Sequence, residues 1–187
     1  MGKRPVFILT IHQPWATLMA CGLKTIETRS WRTSYVGLVA LHAGLVRDHL
    51  SLVESRAPFA IAMQMAVASD VLPATWWPDT NARRATYAHA LPLGAIVAIG
   101  HLCYTERVEI LVREGRTARE HAFGNYDAGR FGWVFDRVVP LERPIPSRGA
   151  QGIRAMTVED DGIVESLRRQ WLAKHPETEP RYLGAAR

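Results

Sequence analysis

The stretch Gln13-Pro14-Trp15-Ala16-Thr17-Leu18-Met19-Ala20-Cys21-Gly22-Leu23-Lys24-Thr25-Ile26-Glu27-Thr28-Arg29 constrains the fold more than any other part of the chain. Pro14 suits the first helical position, where a missing N–H costs nothing. Trp15, Leu18 and Met19 recur at helical spacing and give residues 14–21 one apolar face. Gly22 fits the left-handed position that ends a helix. Residues 25–29 then read as a short strand, with Ile26 on one face and Glu27 and Arg29 on the other. Lys24 sits at the turn between the two elements. Helix and strand bury their apolar faces by packing together, which crowds three charges of both signs at the edge of a core.

The rest of the chain reads as short strands interleaved with a few helices, an α+β pattern. Strands are expected at residues 5–11, 36–42 and 93–104, the last extended by 107–112 after a bend. Phe131, Trp133 and Phe135 alternate along a strand at 131–139. Residues 153–156 form a short strand that closes the sheet. Helices are expected at 46–54 and 60–68, split near Pro58, and again at 82–89. Between them, 72–80 is a proline-bounded loop carrying Trp76 and Trp77, either a lid or a packing element. Residues 118–122 form a turn or short helix. Thr157 caps a final helix with Glu159, Asp160 and Asp161 in its first turn. Val164, Leu167 and Trp171 make its apolar stripe, and 175–187 is a polar tail.

A length of 187 residues fits one domain, and 48% hydrophobic content is enough for a sizeable core. No run approaches the ~18 apolar residues of a membrane span, and the N-terminus carries no cleavage signal. Cys21 and Cys103 make neither a disulfide framework nor a zinc site, so reduced thiols and a cytoplasmic location are expected. The net charge is +5, and residues 1–47 hold six cations (Lys3, Arg4, Lys24, Arg29, Arg32 and Arg47) against one acid, Glu27. A positive field localised in that segment suits a phosphate-bearing partner, and a solvated basic surface in an arginine-rich chain accounts for the charge equally well.

Lys24, Glu27 and Arg29 lead the candidate site residues. A planar Arg29 fork grips a phosphate or base edge. Lys24 supplies a point charge or a general base, and Glu27 orients a cation or accepts from an exocyclic amine. The competing reading is a salt-bridge network that fastens strand to helix. Trp15, Trp31 and Tyr35 flank the cluster. Trp15 reads as core, and Trp31, between Ser30 and Arg32, as a stacking platform. His12 and His42 adjoin the cluster at strand ends, with His42 a second-tier candidate. Gly149-Ala150-Gln151-Gly152 is either a tight turn or a source of backbone N–H groups and the Gln151 amide. The acids at 159–161 complement a helix dipole and are not taken as metal ligands. No H-E-x-x-H, C-x-x-C, G-x-S-x-G or phosphate-loop motif occurs.

The spacing G-x-K-x-x-E-x-R after Gln13-Pro14-Trp15-Ala16 resembles the signature of the ASCH domain, a relative of the PUA-like RNA-binding barrels. The resemblance continues in Tyr35-Val36-Gly37, Leu41-His42-Ala43-Gly44, Leu93-Gly94-Ala95-Ile96-Val97, Phe123-Gly124-Asn125-Tyr126, Gly129-Arg130-Phe131-Gly132-Trp133, Pro144-Ile145-Pro146 and Gly149-Ala150-Gln151-Gly152. It implies a small, mostly antiparallel barrel with flanking helices over residues 1–156. A helical insertion occupies about 46–90, and the 157–187 helix and tail pack on the same domain. It further implies a ligand cleft of Lys24, Glu27 and Arg29, with Gln13, Trp31, Tyr35, His42 and Gln151 around it.

RNA or a nucleotide base is the expected partner, with no cofactor. The alternative is a small hydrolase with Lys24 and Glu27 as catalytic residues, acting on a modified nucleoside or on RNA. A divalent ion enters only on the ribonuclease reading. One ASCH branch that resembles an acylated-cytidine amidohydrolase has threonine where this chain has Glu27, which removes that nucleophile. Many ASCH proteins carry tryptophan just after the glycine-glutamine-glycine run, and here Ile153-Arg154 follows it. A protein-interaction role in transcription ranks last.

Overall fold

Residues 5–68, 71–76 and 90–178 of the chain are described by a computed structural model. The central strand β3 (Gly37–Ala43) is buried at every position, as a strand covered on both faces must be. Around it the six-stranded sheet runs in the order β2-β5-β4-β3-β1-β6, where β1 is Phe7–Ile11, β2 Ile26–Arg29, β4 Ala95–Arg107, β5 Phe131–Pro146 and β6 Ile153–Ala155. All pairs are antiparallel except β1 with β3. That parallel pair is made possible by the crossover through α1 (Trp15–Ala20) and β2.

The long strands β4 and β5 slip register three times along their ladder, and each bulge bends the sheet. The sheet therefore curls until β2 faces β1. No ladder joins these two strands; instead Arg29 Nη2 donates to Thr10 O across the seam at 2.7 Å. The result is a small, mostly antiparallel barrel-like α+β fold with one side-chain-closed seam.

Alternation divides the core. Leu9, Leu41, Val97, Trp133 and Phe135 point into the barrel, with Leu18 and Met19 of α1 above them. Ile8, Ala40, Ile96 and Ile99 point outward and are covered by Leu167 and Trp171 of α5 (Asp161–Lys174). At six residues α1 is too short to hold itself. Leu18 and Met19 are fully buried, each contributing about 1.5–3 kcal/mol.

Between β3 and β4 lie α2 (Leu52–Ser55), α3 (Ala57–Ala68) and a 3-10 turn, Ala74–Trp76. Pro58 does not split the helices: it occupies the first turn of α3, where no N–H is needed. The helix expected at 82–89 lies outside the described residues. Residues 107–112 are not a strand extension. Val108–Arg113 is a helix, α4, because Val108 and Leu111 are buried together at helical spacing, a tertiary contact that outweighs the β-branched composition. The 131–139 strand continues to Pro146.

Thr157 does not cap the last helix. Asp160 is the N-cap, and its Oδ2 accepts from Thr157 N at 2.9 Å, reversing the expected direction. Val158–Asp160 forms a 3-10 turn before α5. Among the described residues no helix is long and apolar enough to cross a membrane.

Candidate functional site

Helix α1 ends as its sequence predicts: Gly22 adopts φ +74°, and Leu23 N and Lys24 N both donate to Leu18 O at 3.0 and 3.1 Å. This reversal drives Lys24 inward, where it is 1% exposed. Its Nζ donates to Ile26 O, lies 3.8 Å from Glu120 Oε2 and 5.5 Å from the Tyr126 ring centroid. Burial pushes the lysine below its ordinary pKa, opposed by Glu27 and Glu120.

Glu120 is the residue that fixes this turn. Its carboxylate accepts from Thr25 N, from Thr25 Oγ1 at 2.7 Å, from Ile26 N at 3.1 Å and from Tyr126 OH at 3.2 Å. Beyond the turn, β2 alternates as expected, with Ile26 and Thr28 buried and Glu27 and Arg29 half-buried on the other face. Arg29 Nε lies 3.1 Å from Glu27 Oε1 without the alignment of a hydrogen bond, so the contact is an ion pair. Arg130 Nη2 donates to Thr28 O at 3.0 Å.

Lys24, Glu27 and Arg29 border one cleft of about 390 Å³, together with His12, Trp15, Trp31, His49, Phe123, Asn125 and Arg130. The aromatic walls are braced from behind. Trp31 stands edge-on to Trp133 at 4.6 Å, and its carbonyl accepts from Trp133 Nε1 at 3.1 Å. Phe59 of α3 meets Trp15 at 6.0 Å and Phe123 at 5.3 Å, so α3 supports the cleft wall. Lys24 pairs with Glu120 and Arg29 with Glu27 on its own strand, so neither ion pair fastens β2 to α1, and all three signature residues border the cavity.

Four sequence candidates lie elsewhere. Gln13 is fully buried; its Oε1 accepts from Thr17 N and Oγ1, and its Nε2 donates to Pro92 O at 2.9 Å. Tyr35 packs on Phe7 with centroids 4.0 Å apart, and its hydroxyl lies 2.9 Å from Leu38 O. His42 is buried and donates from Nε2 to Ser147 O at 3.0 Å. Gln151 is exposed, in a loop tied to β1 where Ala150 N donates to Thr10 Oγ1 at 2.9 Å. Trp76 packs against β5, donating to Leu141 O at 2.8 Å, and Trp77 lies outside the described residues. Trp15, read as core, is half-buried and lines the cleft. Glu120 and His49 come to the site from positions with no local signal of a role, whereas Phe123, Asn125 and Arg130 come from two segments that carried the family resemblance without a role assigned to them.

Fold and cleft together define a small barrel-like α+β domain with a mixed-charge, aromatic-walled cleft. Residues 9–73 match the model of the ASCH domain family.

Among solved structures, the chain is similar to the ASCH protein from Zymomonas mobilis at 14% identity, covering 87% of this chain and 95% of that one with a TM-score of 0.51. At that identity the likeness concerns the fold alone. A tyrosine-to-phenylalanine mutant of the Zymomonas protein matches at 14% identity over 88% and 99% of the two chains, with a TM-score of 0.47. A serine-to-alanine mutant matches at 14% over 89% and 99%, with a TM-score of 0.46. No curated protein matches the sequence.

Proposed function

We propose that the chain binds single-stranded RNA or a nucleotide base in the Lys24–Glu27–Arg29 cleft. The observation that carries this reading is the shared border: the Arg29 guanidinium opens onto the same 390 Å³ space as the Trp15 and Trp31 rings. That volume suits one base or nucleotide, and RNA is read through splayed-out bases stacked on aromatic and guanidinium planes. Trp31 is the platform, Arg29 and Arg130 meet phosphate or a base edge, and Glu27 accepts from an exocyclic amine. Lys24 supplies positive potential from beneath. Gln13, Tyr35 and His42 act as supports for the strands and loop around the cleft. Both cysteines are free, and a cytoplasmic location accompanies this reading.

The test is RNA retention at low and high salt. Wild type retains a mixed single-stranded pool in low salt and loses it in high salt. Trp31→Ala weakens binding about 5- to 150-fold, the equivalent of ~1–3 kcal/mol of stacking. Unchanged retention by both Trp31→Ala and Arg29→Ala would sink the proposal.

One observation favours a second reading, hydrolysis of a modified nucleoside or of RNA. Lys24 is desolvated and held below its ordinary pKa beside a half-buried carboxylate, Glu27, a combination suited to acid–base chemistry. Mass spectrometry of a pool of modified nucleosides and RNA decides it. A product formed by wild type and absent with Glu27→Gln supports the enzyme. A product formed equally by both removes Glu27 from catalysis, and none from either leaves binding alone.

A further inference from the structure

We propose that His101, Cys103 and Asp136 form a binding site for one divalent transition-metal ion of the zinc class. None of the three lines the cleft, so the site stands apart from the reading above.

The argument begins in the β4–β5 ladder. Gly100 pairs with Val138 and His101 with Arg137; Leu102 then pairs with Phe135, and Tyr104 with Val134. Asp136 is the extra residue of the first irregularity and Cys103 the extra residue of the second, on opposite strands. The two bulges cancel, because Tyr104–Val134 and Thr105–Trp133 resume the register that Gly100–Val138 and His101–Arg137 had before them. They leave no net change in register, and each re-aims a side chain. In an unbroken ladder Asp136 would face Leu102 and share its inward direction. The bulge gives that place to Phe135, buried in the barrel with Leu102, and turns Asp136 toward His101.

The donor atoms converge at ligand spacing. His101 Nδ1 lies 3.0 Å from Asp136 Oδ1 and 3.6 Å from Cys103 Sγ, and the three donors lie within 4.8 Å of one another. For an ion bonded to sulfur at ~2.3 Å and nitrogen at ~2.0–2.1 Å, a tetrahedral angle places these two donors about 3.6 Å apart. Sulfur, imidazole nitrogen and carboxylate oxygen suit a borderline-soft ion. The Asp136 side chain is 42% exposed and that of His101 8%, so three protein ligands leave the fourth position open to water. Arg137 Nη2 lies 3.3 Å from Asp136 Oδ2, which orients the carboxylate with Oδ1 toward the site. A cysteine thiol ordinarily holds its proton at neutral pH, so coordination releases that proton to solvent and leaves a thiolate on the ion.

The test is a Co²⁺ titration of the full, chelator-treated chain in a thiol-free reductant, followed by absorption. Expected are one ion per chain, a thiolate-to-cobalt charge-transfer band, and its loss on adding Zn²⁺. Cys21→Ser keeps the band and Cys103→Ser abolishes it. Asp136→Asn, a change at a partly exposed position, weakens binding by about tenfold or more, as loss of even a ligand's partner does. No band in wild type, a band that survives Cys103→Ser, or undiminished affinity in a folded Asp136→Asn protein overturns the proposal.

Discussion

The Lys24 ammonium lies 3.8 Å from the Glu120 carboxylate with both side chains sealed from solvent, at 1% and 5% exposure. Removing one partner of such a pair leaves an uncompensated buried charge, at a cost of about 3–5 kcal/mol. Glu120 also accepts hydrogen bonds from Thr25, Ile26 and Tyr126, so its loss frees the turn that carries Lys24. Glu120→Leu is expected to lower unfolding stability in urea by about 3 kcal/mol. Adding Lys24→Met should recover part of that loss, because the orphaned charge goes with it. Strictly additive losses in the double-mutant cycle would mean that the two groups do not interact.

Arg29 acts as a clasp as well as a cation. It reaches from β2 to Thr10 O on β1 and pairs with Glu27 on its own strand. A lysine ammonium is a point charge without the planar fork that serves both contacts. Arg29→Lys should therefore lose about 1.5–3 kcal/mol, the worth of a hydrogen bond to a charged group. It should also bind RNA more weakly than wild type at equal salt. Full stability and full retention in that variant would assign the seam to the strands alone.

Legibility in the sequence follows the range of the interaction. The Gly22 stop, the shared face of Glu27 and Arg29, and the Leu167–Trp171 stripe are local patterns and could be read from spacing. Glu120 could not: it meets Thr25 across 95 residues, and no local motif marks a carboxylate for that role. Residues 107–112 misled because Val108, Ile110 and Val112 are β-branched, while packing of Val108 and Leu111 decides the conformation. The bulges at Cys103 and Asp136 cancel in register but shift each strand's own alternation by one residue, as from Phe135 to Val138 on β5, and a single shift between short runs is not legible without the partner strand. Tyr35 follows the charged strand in sequence, but its hydroxyl turns back to Leu38 O and its ring settles on Phe7.

His42 makes the fold sensitive to acid. Its Nε2 donates to Ser147 O, so Nδ1 is the bare nitrogen, buried and without a hydrogen-bond partner among the described residues. Burial lowers its pKa from the ordinary 6.5. The unfolded chain thus takes up a proton that the folded chain resists. The stability contributed by neutral His42 is whole above 6.5 and is lost as pH falls from 6.5 toward the depressed folded value. Urea melts across this window should show wild type losing stability faster than His42→Gln, in which an amide keeps the donor to Ser147. His101, also shifted down by burial, is common to both proteins and cancels. Parallel curves would remove His42 as the source.

Gly149 is held between the same histidine and the strand that anchors Arg29. A Cβ there would lie 2.8 Å from Thr10 Oγ1, 2.9 Å from His42 Cε1 and 3.0 Å from His42 Nδ1. Neither neighbour yields easily: the imidazole is rigid and tied to Ser147, and Thr10 Oγ1 accepts from Ala150 N. Gly149→Ala should cost about 1–3 kcal/mol by overpacking. The strain passes to Thr10, whose carbonyl receives Arg29, so the variant should also weaken RNA retention although Gly149 does not line the cleft. Hydrogen exchange provides the second readout: faster exchange at Ala150 N, with β3–β4 ladder amides unchanged, is the expected pattern. Wild-type exchange at Ala150 together with unaltered stability would show that the loop absorbs a methyl group without moving β1.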